Sequence, residues 1–246
     1  MNVSVIIPAL NEEQTVATVV RACLADNPVE VLVIDADSTD ATAIRAREAG
    51  ARVVNWREVM PGVTPRPGKG ESLWRGVAAA RGDVVCFIDA DLTSATPGMV
   101  NALSAPFAEP RVQLVKATYP RTLSGKPTGG GRVTELSAKP LIREFFPHLM
   151  FIDQPLGGEY ALRRSAARQL PFVDGYGVDI ALLIDCAETF GVDSLAQVGL
   201  PARVHRNRPL HQLAPMAHTV ARTILWRAGV LRTKPGAHRE PLDRVG

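Results

Sequence analysis

The sharpest chemical signal in this 246-residue chain is Asp89-Ala90-Asp91. It follows Val84-Val85-Cys86-Phe87-Ile88, apolar at every position, as expected of a strand covered on both faces. Ligands of open α/β sheets bind at the carboxyl edge, and two hard oxygen donors one residue apart suit Mg2+ or Mn2+ bridging a diphosphate. A second pair, Asp35-Ala36-Asp37, also closes a strand pattern; Asp35 is expected near a nucleoside and Asp37 at a helix entrance. Gly68-Lys69-Gly70-Glu71 opens a helix after a Pro/Gly-rich loop, so backbone amides and the Lys69 ammonium could cradle phosphates. It is not a Walker A motif, because Gly70 stands where Ser or Thr should follow the lysine. It is not a dinucleotide fingerprint either, because Leu73 replaces the third glycine.

Three later motifs carry weaker signals. Gly129-Gly130-Gly131-Arg132-Val133-Thr134 offers free amides, a guanidinium fork and a hydroxyl at a helix start, a pocket for a small phosphate or carboxylate or else a plain turn. His205, in His205-Arg206-Asn207-Arg208, is a candidate third metal ligand beside Asp91, although a single His is more often structural. Asp179, in Tyr176-Gly177-Val178-Asp179-Ile180, is either a helix cap or a contact to a sugar hydroxyl.

The elements that must position these residues follow from periodicity. Val3 to Ile7, Val29 to Ile34, Ala51 to Val54 and Val84 to Ile88 read as strands. Between them, Val16, Val19, Val20, Cys23 and Leu24 mark one apolar helix face, with Asn11 as N-cap and Gln14 completing a capping box. Ser38 or Thr39 would cap a second helix closing at Gly50, and a third helix runs from Glu71 to about Ala80. This alternation predicts parallel βαβ units with helices on both faces. A strand at Val112 to Ala117 and helices near 132–145, 178–190 and 211–228 complete the reading; there is no internal repeat.

Composition narrows the class. At 46% hydrophobic and 22% charged residues, the chain can build one α/β domain or at most two small ones and is not globally disordered. No apolar run approaches the ~20 residues that span a bilayer, and no secretory leader is evident, so a cytoplasmic location without stable membrane insertion is expected. Cys23, Cys86 and Cys186 sit among apolar residues and read as buried hydrophobes of a reducing compartment. Residues 217–246 hold six Lys/Arg against two Asp/Glu, a charge of +4, so the net +3 of the chain belongs to its C-terminus. Basic residues do not interleave with aromatics, which disfavours nucleic acid as a partner.

Together these motifs resemble a known group. Pro8-Ala9-Leu10-Asn11-Glu12-Glu13 and Asp89-Ala90-Asp91 resemble GT-A nucleotide-sugar glycosyltransferases. Gly68-Lys69-Gly70-Glu71-Ser72-Leu73-Trp74, Gly129 to Leu136, Gln154-Pro155-Leu156-Gly157-Gly158-Glu159-Tyr160, Gly175 to Ile180 and His205 to Leu210 are similar to segments of the actinobacterial glucosyl-3-phosphoglycerate synthases. The resemblance implies a GT-A fold: a Rossmann-like, mostly parallel twisted sheet flanked by helices, with a helical C-terminal acceptor region. Residues 1–118 would form the nucleotide-sugar half, 119–232 the acceptor half of the same domain, and 233–246 a flexible basic tail.

The resemblance also implies roles. Pro8, Ala9, Leu10, Glu12 and Ser38 would hold the uridine, beside the Asp35 that its strand-end position already puts there, Lys69 the diphosphate, and Asp91 and His205 a Mg2+ or Mn2+ ion. Asp89, with Ala90 and Tyr176, would lie at the ribose and donor sugar. Gly131, Arg132, Thr134 and Asn207 would bind the acceptor, and Leu156, through its carbonyl, and Asp179 would position glucose. The implied reaction is retaining, metal-dependent transfer from UDP-glucose to 3-phosphoglycerate or a related phosphorylated acid, by a homodimer. Mannosyl transfer, an inverting mechanism with another acceptor, a nucleotidyltransferase and a non-catalytic nucleotide-sugar-binding module are the competing readings.

Overall fold

The computed structural model describes residues 1–122, 131–201, 203–204 and 210–245. In chain order the elements are β1 (Val3–Ala9), α1 (Val16–Leu24), β2 (Glu30–Asp35), α2 (Thr42–Glu48), β3 (Arg52–Asn55), α3 (Lys69–Ala79), β4 (Val84–Phe87) and α4 (Met99–Ser104). There follow β5 (Leu114–Thr118), β6 (Arg121–Thr122), α5 (Lys139–Phe145), β7 (Tyr160–Arg163), α6 (Arg164–Gln169), β8 (Phe172–Val173) and α7 (Val178–Phe190). The chain closes with β9 (Leu195–Gly199), β10 (Arg203–Val204), α8 (Leu210–Arg227) and β11 (His238–Arg239).

A seven-stranded sheet runs β3-β2-β1-β4-β7-β5-β9. β3, β2, β1 and β4 are mutually parallel, β5 is parallel to β9, and β7 lies antiparallel between β4 and β5. The chain leaves β1 on one side for β2 and returns on the other for β4, so the strand order reverses at β1. Such a reversal opens a crevice at the carboxyl edge. β2 and β4 are buried at every position; the apolar runs Val31–Ile34 and Val84–Phe87 fit strands covered on both faces. Helices α3 and α7 pack over one face and α1 and α4 over the other, and each face builds its own apolar cluster. All three cysteines are buried and free.

The helices expected near 178–190 and 211–228 appear as α7 and α8. The helical stretch expected at 132–145 forms, with a π-helical turn at Thr134–Ala138. One strand is unanticipated and three expectations need correction. The strand β7 had no sequence signature, because Tyr160-Ala161-Leu162-Arg163 is short and flanked by glycines on one side and a helix on the other. The capping box at Asn11 does not form: α1 begins at Val16, and Asn11 sits at φ 57°. Its Oδ1 instead accepts the Thr39 amide at 2.9 Å and its amide donates to Ser38 Oγ at 3.0 Å, tying the loops after β1 and β2 together. Neither Ser38 nor Thr39 caps α2, whose N-cap is Ala41. The C-terminal segment is not frayed: β11 pairs with β8, Leu242 is buried, and Arg239 donates to the buried Glu71 carboxylate at 2.6 and 2.8 Å.

Candidate active site

The carboxyl ends of β1, β2 and β4 deliver the candidate residues to one edge. At the end of β1, Pro8 is half-buried and Ala9 is buried; beyond it, Leu10 is exposed and Glu12 half-buried. At the end of β2, Asp35 is 6% exposed; its Oδ2 accepts the Ser38 amide at 3.3 Å and Asn55 Nδ2 at 3.5 Å. Its buried Oδ1 has no hydrogen-bond partner among the described residues, a cost a ligand donor would relieve. Asp37 does not open a helix. It takes the left-handed region at φ 64° and pairs with Arg57 and Asn55, which hold its carboxyl down at about 2.

Beyond β4, Asp89 is part of a three-residue ionic network. Lys69, the first residue of α3, reaches Asp89 Oδ1 at 2.8 Å and Asp179 Oδ1 at 3.1 Å. Burial of the ammonium lowers its pKa, but the Asp179 and Asp89 charges outweigh burial and the net displacement is upward. Asp179 lies in the first turn of α7 and is 7% exposed, so its carboxylate faces Lys69 rather than capping its own helix. Gly68 and Gly70, flanking Lys69, make this approach possible. A Cβ at Gly70 would collide with the Val173 carbonyl, and one at Gly68, which holds φ +128°, would meet the Gly175 amide.

The Pro/Gly loop before Lys69 is held from behind. Arg75, fully buried on α3, pairs with Glu71 at 2.7 Å and donates to the carbonyls of Trp56, Val59 and Val63. Arg239 from the C-terminal segment reaches the same Glu71 and the Thr64 carbonyl.

Asp91 is half-buried and Ala90 is buried on the loop that carries Asp89. His205 and Asn207 lie outside the described residues; among those described, no group of three His, Cys, Asp or Glu residues is placed to hold a metal. Two carboxylates on one loop still match a hard divalent cation that takes its remaining oxygens from a diphosphate and water. Gly131 stands at φ 76° immediately before the helical stretch. Arg132 is half-buried and Thr134, first residue of the π-helical turn, is buried; π-turns inside helices are frequent at functional sites. Tyr176 is exposed and Leu156 half-buried.

The fold adds residues that sequence reading did not single out. Gly158 packs so closely on Asp89 that a Cβ there would collide with the carboxylate. Tyr160, on β7, is fully buried; burial first, then the Asp179 charge, holds its hydroxyl well above the ordinary phenol range. Lys116, on β5, is fully buried, donates to the Gly157 carbonyl at 2.6 Å and lies 4.3 Å from the centroid of the Tyr160 ring. Its only sequence signal is a lysine inside the apolar run Leu114-Val115-Lys116-Ala117.

Comparison with known proteins identifies the family. The profile described as "Glycosyl transferase family 2" matches residues 4–167. Glucosyl-3-phosphoglycerate synthase of Mycolicibacterium smegmatis is 48% identical over 236 residues, covering 93% of this chain and 78% of the relative. A crystal structure of the Mycobacterium tuberculosis glucosyl-3-phosphoglycerate synthase with Mn2+, UDP-glucose and phosphoglyceric acid superposes with a TM-score of 0.90 at 43% identity, over 100% of this chain and 91% of that one. A second, with Mn2+, UDP and glucosyl-3-phosphoglycerate, gives a TM-score of 0.90 at 43% identity, over 100% and 92%. An α/β domain with an ionic site at its switch point, matched along its whole length by these enzymes, is a glycosyltransferase, and the chain belongs to the glucosyl-3-phosphoglycerate synthase family.

Proposed function

We propose that the protein transfers glucose from UDP-glucose to 3-phosphoglycerate with retention of configuration, assisted by Mg2+ or Mn2+. The observation that carries this reading is the Lys69–Asp89–Asp179 network at the sheet's switch point, in a chain matched end to end by an enzyme that binds these substrates. Pro8, Ala9, Leu10, Glu12 and Ser38 line the uridine, and the orphaned Asp35 Oδ1 accepts a donor from it. Lys69 neutralises the diphosphate, and Asp91 with His205 holds the cation, which offsets charge on the departing UDP.

On the sugar side, Asp89, Ala90 and Tyr176 border the donor, and Asp179 and the Leu156 carbonyl orient the hexose. Gly131, Arg132, Thr134 and Asn207 bind the acceptor's phosphate and carboxylate, the guanidinium supplying a forked contact. The acceptor hydroxyl attacks from the face the diphosphate leaves, and the leaving phosphate takes its proton. No covalent glycosyl-enzyme step is needed.

A donor-by-acceptor matrix tests the reading. UDP- and GDP-glucose and GDP-mannose are crossed with 3-phosphoglycerate and glycerol 3-phosphate, with Mn2+, Mg2+ or a chelator, and products are read by NMR. The expected outcome is an α-glucoside of 3-phosphoglycerate from UDP-glucose, lost on chelation. A β-linked product, a mannoside as the main product, or turnover indifferent to chelator overturns it.

A further inference from the structure

The segment from Phe151 to Gly158 crosses the candidate site without regular secondary structure, so side chains from the sheet must hold it. Its upstream arm is held twice. Gln197 on β9 accepts the Asp153 amide at 2.8 Å and donates to the Phe151 carbonyl at 2.7 Å, and Thr118 Oγ1 on β5 donates to Asp153 Oδ2 at 2.9 Å. The turn itself closes through Gly157 N to the Gln154 carbonyl at 3.0 Å. Downstream, Lys116 Nζ donates to the Gly157 carbonyl at 2.6 Å, and Gly158 packs on Asp89.

We propose that Lys116 is a positioning residue for transfer: by fixing the Gly157 carbonyl it aims the neighbouring Leu156 carbonyl at the reacting sugar. This rests on the role given to Leu156 above. The peptide that carries the Leu156 carbonyl is tied through the Gly157 amide to Gln154, and Gly157 has no side chain to restrain its own dihedrals; the Lys116 bond fixes the next peptide, so both planes that meet at its Cα are held. Burying an ammonium costs free energy that an apolar residue in β5 would not. Its contacts are a carbonyl and the Tyr160 ring, and a charge-assisted bond is short and directional. Burial pulls its pKa down to about 8; the Asp179 charge opposes this, Lys69 adds to it, and Glu159 and Asp89 oppose it.

The test compares Lys116→Met, which removes donor and charge, with Lys116→Gln, which keeps a neutral donor. Steady-state kinetics with UDP-glucose, 3-phosphoglycerate and Mn2+ are read beside calorimetric Mn2+-dependent UDP binding and the crystal structure of Lys116→Met. Misaiming of a reacting contact by about 1 Å costs roughly 10²-fold. The expected result is therefore a kcat lower by about 10²-fold for Met and about tenfold for Gln, with UDP affinity and KM for UDP-glucose within about threefold of wild type. In the Met variant the Gly157 carbonyl is expected to turn from its present direction.

A Met variant with kcat within about threefold of wild type, or with UDP affinity falling as far as kcat, overturns the proposal. If Lys116→Met does not fold, Lys116→Gln decides alone: wild-type kcat overturns the proposal, and a tenfold loss at unchanged KM supports it. A wild-type protein that binds UDP-glucose but forms no glucosyl-phosphoglycerate overturns the functional reading instead. Lys116 is then judged by the crystal structure, where a Gly157 carbonyl that keeps its direction without the ammonium overturns its role.

Discussion

Two lysines sit near one another at the same sheet edge and are held in opposite ways. Lys69 opens α3 between two carboxylates, at 2.8 and 3.1 Å, with 16% of its side chain exposed. Lys116 lies fully buried in β5, with a carbonyl and an aromatic ring as its contacts. Burial lowers the pKa of both. Contact with Asp179 and Asp89 reverses the effect for Lys69, whereas the same two charges, acting on Lys116 without contact, leave it depressed at about 8. Direct contact, not residence in the same charged cleft, decides which ammonium the fold stabilises.

Gly158 joins the two regions, since it packs on the partner of Lys69 and follows the partner of Lys116. Breaking the comparison there has the largest expected effect. Gly158→Ala drives a methyl group into the Asp89 carboxylate, so kcat/KM should fall by at least about 10²-fold. Overpacking at a buried site should also lower stability by about 1–3 kcal/mol, read by denaturant titration.

Deleting each ammonium sharpens the contrast. Lys69→Met leaves Asp89 and Asp179 without their shared counter-charge and should destabilise the metal-free protein by about 3 kcal/mol. Lys116→Met removes a charge that burial disfavours and at pH 7 should stay within about 1 kcal/mol of wild type or exceed it. Equal losses in the two variants would break this distinction.

The smallest effect is in pH dependence. Because Lys116 titrates near 8 when folded and near 10.5 in its unperturbed state, the unfolded chain carries more protons on it between those values. Its contribution to stability therefore rises with pH across that window, by at most about 1.4 kcal/mol per pH unit. Lys69 acts with the opposite sign and later: its contribution is complete below 10.5 and is lost as pH climbs through its raised folded value. Above pH 9 the buried thiols, all pushed upward chiefly by burial, also lose stability. The clean reading is then the difference between wild type and Lys116→Met from pH 8 to 9, which should grow in favour of wild type; a flat difference refutes the depressed titration.

Much of the framework was legible in the chain because its signals are local. A continuous apolar run ending in Asp89-Ala90-Asp91 specifies a buried parallel strand with carboxylates at its end, and the structure places them so. Periodicity alone predicts α7 and α8 to within a residue or so. Asn11 shows the limit: its type and spacing suit a helix cap, yet in the fold its side chain bridges two loops, because a partner 28 positions away satisfies the same oxygen.

Sequence by itself determined the alternation of strands and helices, the strand-end carboxylates, the Lys69 turn and the buried cysteines, all set by periodicity and by residue type over a few neighbouring positions. Only tertiary structure decided that β7 enters the sheet antiparallel and brings Gly158 and Tyr160 to Asp89 and Lys116. It also decided that Asp179, 110 positions from Lys69, shares its ammonium, and that a basic C-terminal segment docks through Arg239 on Glu71 rather than fraying. These outcomes rest on contacts between distant segments, where desolvation and pairing of charge set the energies and no local pattern of residues records them.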